Sequence, residues 1–270
     1  MRIHRTASSE NKLRAFSLTT KLIIVNVFLY LVLLLSMGFF GEKIFEWFAL
    51  TPALIIHGKN LWTFLTSMFM HGSFFHLLAN MFSLFFIGNF LEKLIGRKRF
   101  FWVYLISGLL GGIFYVGATL IFGGIEIPAV GASGAIFGLL GVLALLVPNS
   151  RIYLIVGPLI LIVAEVVATP FLPANFSSIF STIINLLIIL QIFAILSLNS
   201  NLRKFAIPVE LPMWLLPIIA IVPLAIIGLF IALPIGNSAH LGGLIVGLIY
   251  GFYLRKKFPR KTAQISRIFR

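Results

Sequence analysis

Apolar residues in this chain run in long unbroken blocks, neither alternating at a period of two nor confined to one helical stripe. Blocks near the roughly 20 residues that carry a helix across a bilayer occur at about 22–40, 76–95, 100–122, 152–169, 177–198, 212–234 and 238–254, with a shorter one at 133–147. The pattern predicts eight helices and an all-α polytopic membrane protein. The short block covers only about 22 Å of a roughly 30 Å hydrocarbon layer. With one end at Pro148-Asn149, its first residue, Ser133, starts below the opposite surface. The first block follows a basic segment, as a secretory signal would. It is longer than a signal core, however, and Ser36-Met37-Gly38-Phe39-Phe40 offers no small-x-small cleavage site, so it is expected to be retained. The 41–75 connection is itself rich in Ile, Leu, Phe, Trp and Met, and is expected to lie in the membrane interface.

Charge orients the blocks. Of the 21 Lys and Arg, all but Lys43 and Lys59 fall on the side that eight spans assign to both termini, including Arg2, Arg5, Lys12, Arg14, Lys93, Arg97, Lys98, Arg99, Arg203, Lys204 and the run from Arg255 to Arg270. This is the positive-inside pattern, and it predicts cytoplasmic termini. Residues 1–21 and 256–270 become basic cytoplasmic segments flanking a membrane domain at 22–255. The net charge of +14 then reflects topology and the anionic leaflet, with no nucleic-acid partner. Composition agrees, with 60% hydrophobic and 10% charged residues. Zero Cys excludes disulfides and thiolate chemistry. The seven acids are all Glu, which excludes an Asp-His-Ser triad, an intramembrane aspartyl pair and an Asp-rich cation site.

Few strongly polar side chains remain in or beside the spans, and such groups mark function by default. They are His71, His76, Asn80, Ser133, Glu165 and His240. All but Glu165 fall on the outer side, where they can share one cavity, whereas Glu92 falls near the cytoplasmic end. Ser133 sits in Gly131-Ala132-Ser133-Gly134, a string that 23 Gly make weak alone. Its place at a helix start strengthens it, because free N–H groups and the helix dipole there favour developing negative charge. His240 begins the last helix, in which Ala239, Gly243, Gly247 and Gly251 recur every four residues. Packed against Gly134, Gly138 and Gly141, that small-residue stripe brings the imidazole within reach of the Ser133 hydroxyl. A Ser–His dyad is the simplest nucleophile and base available without Asp. His76 and Asn80, at i and i+4, share a helix face and suit oxyanion donation, with the Ser133 N–H as a third donor. His71 is read as shaping the outer loop. A zinc site from His71, His76 and His240 would leave Ser133 without a role, and no His-Glu-x-x-His string exists, so no metal is expected.

These residues together resemble the rhomboid family of intramembrane serine proteases. The likeness runs through Trp62, His71-Gly-Ser-Phe-Phe-His76-Leu-Leu-Ala-Asn80, Gly88 to Glu92, Gly96, Gly131-Ala-Ser133-Gly134 and Ala239-His240-Leu-Gly-Gly243 with Gly247. It implies Ser133 as nucleophile, His240 as general base, and His76 and Asn80 as oxyanion donors. It also implies hydrolysis of single-span membrane proteins near the outer membrane face, in a prokaryotic cell membrane, with no cofactor. Three departures stand out. Thr63 follows Trp62 where many members have Arg. Phe137 stands where Tyr is frequent, able to stack on His240 but not to hydrogen-bond. The separation of 107 residues between Ser133 and His240 is about twice what a six-helix rhomboid core needs. A two-helix insertion at about 152–199 accounts for it, since Pro148 to Tyr153 and Ile207 to Pro212 resemble the two ends of one short loop. Glu165 is expected to be protonated or to bond across that hairpin to Asn185 or Gln191. The helix at 212–234, with Pro217, Pro223 and the cap Leu233-Pro234-Ile235-Gly236-Asn237, is expected to gate entry. The rival readings are a catalytically inactive rhomboid-like protein that binds membrane clients, and a small-solute transporter using Glu165, Asn185 and Gln191. The sequence leaves the oligomeric state open.

Overall fold

The computed structural model describes residues 16–41, 43–197, 199–228 and 236–269. In chain order, the first helices are α1 (Leu18–Phe40), α2 (Lys43–Phe48), α3 (Pro52–Ile56), α4 (Thr63–Thr66), α5 (Phe74–Ser83), α6 (Asn89–Ile95), α7 (Arg97–Phe122) and α8 (Ser133–Leu146). They are followed by strand β1 (Arg151–Ile155), α9 (Val156–Ala168), α10 (Ala174–Leu196), α11 (Ser200–Phe205), strand β2 (Pro208–Pro212), α12 (Leu216–Gly228), α13 (Asn237–Lys257) and α14 (Pro259–Ile268). Among the described residues, α1, the Phe74–Ile95 helix, α7 and the Ala174–Ile195 stretch of α10 are long and apolar enough to cross a membrane, while Ser133–Leu146 and Val156–Phe171 are shorter apolar helices. The chain divides into two compact units: that up to Leu146 joined by Gly236–Ile268, and Val147–Ile235.

In the first unit α1 begins earlier than the apolar block suggests, because Ser17 caps it by accepting from the Thr20 N–H at 3.0 Å. The second spanning helix is widened to a π-turn at Leu84–Gly88 between α5 and α6. Glu92, on α6, accepts from the Leu18 N–H, the Thr19 N–H and the Thr19 hydroxyl, each at 2.8 Å, and Arg97 Nε approaches it at 3.3 Å. A buried carboxylate thus satisfies the orphan donors that open α1.

Helix α13 lies directly against α7 and α8, and glycine makes this possible. A methyl group on Gly243 would run into the Gly134 carbonyl, and one on Gly247 into the Gly138 carbonyl. From the opposite side, a methyl on Gly141 would stand 2.7 Å from the Leu244 carbonyl oxygen, and one on Gly111 of α7 2.8 Å from that of Ala239. The stripe of small residues therefore joins the helices backbone to backbone.

The connection between α1 and α5 is structured, not a simple cover. Leu50 and Ala129 exchange two backbone hydrogen bonds, at 3.0 and 2.9 Å, the Ala53 N–H donates to Ile125, and the Gly131 N–H donates to the Ser67 carbonyl at 2.8 Å. Trp62 Nε1 donates to the Trp47 carbonyl at 2.9 Å, and Thr63 is buried, its hydroxyl bonded to the Asn60 carbonyl. The loop that delivers Ser133 is thus fastened along its length.

In the second unit β1 and β2 pair antiparallel, from Arg151 opposite Pro212 to Ile155 opposite Pro208. The ladder continues with Val156 N–H to Ile207 and Gly157 N–H to Ala206. This ribbon was not foreseen: an apolar run rich in β-branched residues suits strand and buried helix alike, and the partner strand decides. The expected bond from Glu165 to Asn185 or Gln191 does not form among the described residues. Gln191 Nε2 points instead to the Phe205 carbonyl, at 3.4 Å, one of the unsatisfied acceptors at the end of α11, and Gly157 leaves room for its amide. Helix α12 contains Pro223, as expected of the gate, but Leu233-Pro234-Ile235 of its cap lie outside the described residues, as do Arg2, Arg5, Lys12 and Arg14.

Candidate active site

Three helices of the first unit, α5, α8 and α13, bring polar residues of their first turns together. Ser133 is the first residue of α8 and His240 lies in the first turn of α13, where its N–H bonds the Gly236 carbonyl. His240 Nε2 stands 2.8 Å from Ser133 Oγ. The imidazole stacks on Phe137, with ring centroids 4.4 Å apart and planes 18° from parallel. Phe137 follows Ser133 by one helical turn, so α8 supplies both the hydroxyl and the surface that holds the ring. His240 Nδ1 is buried with no hydrogen-bond partner among the described residues, and no carboxylate orients it. Ring orientation therefore rests on stacking and on the helix–helix contact. In the tautomer whose Nε2 accepts from the serine hydroxyl, the ring proton resides on Nδ1.

Ser133 and His240 are only partly buried, which leaves the pair approachable. Gly131, at φ +125, explains the entry into α8. A side chain there would be strained, and its Cβ would sit 2.7 Å from His76 Nε2 and 3.7 Å from Ser133 Oγ. The point beside Gly131 is thus bordered by both groups, and only glycine leaves it empty. Gly134 serves a different purpose, the close approach of Gly243.

His76 is positioned by Ser73, which caps α5 by accepting the His76 N–H at 3.1 Å. Asn80 is buried one turn later, and its Nδ2 donates to the His76 carbonyl at 2.9 Å. The Asn80 amide is therefore engaged with its own helix, and rotation about its side chain is needed to point it elsewhere. His71 packs edge-on against His76, ring centroids 5.1 Å apart, and is only 1% exposed. Burial drives its pKa from 6.5 down to about 3, with the neighbouring His76 adding in the same direction and the Phe69 backbone opposing. A neutral, buried ring beside His76 acts as a prop. Glu92 stands at the other end of its helix, bonded to α1, and Glu165 lies in the second unit. Among the described residues no three His, Cys, Asp or Glu side chains are placed to hold a metal ion.

Two supports were not singled out in the sequence. The Ser67 carbonyl holds Gly131, and the Tyr115 hydroxyl donates to the Ile127 carbonyl at 3.0 Å, tying α7 to the loop before Ser133. A backbone acceptor leaves no trace in a sequence, whereas a tyrosine within an apolar helix is a signal of a buried body with a polar tip.

The fold and this polar cluster define a polytopic integral membrane protein with a serine–histidine pair at one end of its helices. The Rhomboid domain model matches residues 58–188 and 176–257, so the chain belongs to the rhomboid family. It is 42% identical over 106 residues to RHOMBOID-like protein 1 of Arabidopsis thaliana, covering 39% of this chain and 26% of that protein. It is 42% identical over 81 residues to a putative rhomboid protease of Bacillus subtilis, covering 30% of this chain and 39% of that protein. A third relative, named Inactive RHOMBOID-like protein 8, also of Arabidopsis thaliana, is 34% identical over 109 residues, covering 40% of this chain and 28% of its own length. The match spans well under half the length of each of these relatives. The family is one of intramembrane serine proteases and includes members that are inactive.

Proposed function

We propose that the protein is an intramembrane serine endopeptidase in which Ser133 and His240 form the catalytic dyad. The observation that carries this reading is the 2.8 Å contact between His240 Nε2 and Ser133 Oγ. As Ser133 Oγ attacks a peptide carbonyl, His240 takes its proton at Nε2 and then returns it to the departing amine. Water, activated by the same imidazole, hydrolyses the acyl-enzyme. The oxyanion develops where the Ser133 N–H, at the free end of α8, meets His76 Nε2, and Asn80 joins on leaving the His76 carbonyl. Gly131 keeps that space open, and His71 holds His76 toward it. No step calls for a metal or cofactor.

The substrates in this reading are single-span membrane proteins that enter from the lipid and are cut near the membrane face bearing Ser133. In this reading both termini lie in the cytoplasm of a prokaryotic cell, which the concentration of Lys and Arg beside them supports, and α12 with its cap serves as the gate. Residues of about 152–199 form an accessory hairpin. The ribbon supports this, since it brings Val156 and Ile207 together as the two edges of one loop would be. The test is labelling of purified protein by a fluorophosphonate or isocoumarin, with mass spectrometry of the adduct. Modification of Ser133 in the wild type, and none in His240→Ala, is the expected result. An unlabelled Ser133 in folded protein would move the chain to the inactive branch of its family.

A further inference from the structure

The dyad end of the molecule accounts for the polar residues there, but the opposite end carries charge for which the dyad has no use. Phe258, at φ −130 and ψ 55, stops α13, and Pro259 opens α14, a position where its missing N–H is harmless. On α14, Thr262, Ile265 and Ser266 are half-buried on one face in line with Phe258, while Arg260, Lys261, Gln264 and Arg267 are exposed on the rest. Ile268, which ends the helix, is 67% exposed. Two further cations converge on the same corner. The Arg99 guanidinium, from the first turn of α7, lies over the Phe258 ring at 5.1 Å, and Lys257 Nζ lies 5.9 Å from the same ring and donates to the Tyr253 hydroxyl at 2.6 Å.

Among the described residues no acid pairs with these cations. The chain contains no Asp or Glu after Glu210, and Glu92 is committed to α1 and Arg97. An amphipathic helix that is basic on its free face, at the end of membrane-spanning helices, with aromatic rings and an exposed Ile beside it, has the composition of an interfacial element. Its partner must be anionic, and the apolar residues in the patch distinguish a lipid surface from a wholly hydrophilic polyanion. We propose that α14, with Arg99 and Lys257, binds the phosphates of anionic phospholipids, seating that end of the bundle in a negatively charged leaflet. Arg260, Lys261 and Arg267 face the headgroups, and Arg99 and Lys257, held over Phe258, form the inner part of the same surface.

The test uses the detergent-purified full chain titrated with phosphatidylglycerol or with phosphatidylcholine of the same acyl chains, with bound lipid counted by native mass spectrometry. Phosphatidylglycerol should be retained and phosphatidylcholine not, and raising salt from about 0.05 to 0.5 M should release it. Each cation removed should weaken retention roughly fivefold, so that Arg260→Gln/Lys261→Gln/Arg267→Gln loses about a hundredfold. Gln264→Ala should lose nothing. If the triple variant melts at a lower temperature than wild type in phosphatidylcholine, the pair Arg99→Gln/Lys257→Gln decides, with about twenty-fivefold weakening expected. Equal retention of the two lipids, unchanged phosphatidylglycerol binding in the folded variants, or tighter binding of a single-stranded RNA oligomer than of phosphatidylglycerol would overturn the proposal.

Discussion

The α8–α13 interface and the hairpin of α9 and α10 are both made of apolar helices, yet they are assembled on opposite principles. In the first, Gly134, Gly138 and Gly141 face Gly243 and Gly247, and the main chains touch. In the second, bulky side chains such as Ile179, Leu186, Leu190 and Phe193 point away from the unit, and glycine makes a close approach at Gly157, beside the Gln191 amide. Backbone contact permits a single helix register, because a shift of one residue drives a side chain into a carbonyl. Side-chain contact between long aliphatic residues permits many. A hydroxyl and an imidazole that must stay within hydrogen-bond distance belong at the first kind of interface.

The sharpest way to break this contrast is at the dyad. Ser133→Ala should abolish peptide hydrolysis with the melting temperature unchanged, and His240→Ala should come close to it, a loss of up to about 10⁶-fold by comparison with other serine enzymes. Retained turnover in purified Ser133→Ala, or wild-type activity lost to EDTA, would reject the serine mechanism. One level down, His76→Ala and Asn80→Ala should each lower turnover by about 10²–10³-fold with a smaller effect on half-saturation. A change confined to half-saturation would reassign that residue to substrate contact.

Stability compares the two regions directly. Gly247→Ala should cost about 1–3 kcal/mol and lower activity as well, because the added methyl meets the Gly138 carbonyl. Leu186→Ala in the hairpin, 56% exposed, should stay within about 0.5 kcal/mol and leave activity intact. Melting curves and turnover of the two variants side by side test the distinction, and equal costs would erase it. Acid should act through His71. Its pKa in the folded chain, about 3, lies below the 6.5 of the unfolded chain, so its contribution is complete above pH 6.5 and is lost progressively as pH falls toward 3. Both ring nitrogens lack hydrogen-bond partners among the described residues, so His71→Phe should flatten the fall in melting temperature between pH 7 and 4. The mildest result is expected from deleting residues 157–206 and joining Val156 to Ile207, which should give a folded protein with Ser133-dependent activity. A folded but inactive deletion would place the hairpin within the catalytic core.

The glycine stripe was legible because its spacing of four is a property of one helix, and the start of α8 at Ser133 was legible because a short block between loops leaves little freedom. The β1–β2 ribbon was not, since Arg151–Ile155 becomes a strand only on meeting Pro208–Pro212, which lies beyond α9, α10 and α11. The carboxylate of Glu92 could be placed near an end of its helix, but its partners are backbone donors of Leu18 and Thr19, which any residue type would supply. The bond from Glu165 to Gln191 met a similar obstacle, since the Gln191 amide has a main-chain partner in the Phe205 carbonyl. Pairing rules read from side chains miss competitors that belong to the main chain.

The Glu92 clasp has a consequence for the order in which the molecule is made. The donors that open α1 leave the ribosome first, but their acceptor lies more than seventy residues later. Until the second spanning segment has been synthesised and has entered the bilayer, the start of α1 has only Ser17 and water to satisfy it. The first helix is therefore free to slide along the membrane normal during biosynthesis, and its depth is fixed only when the arriving carboxylate closes over Leu18 and Thr19. A truncated nascent chain released before Glu92 should show α1 at variable depth, and one released after it a single depth.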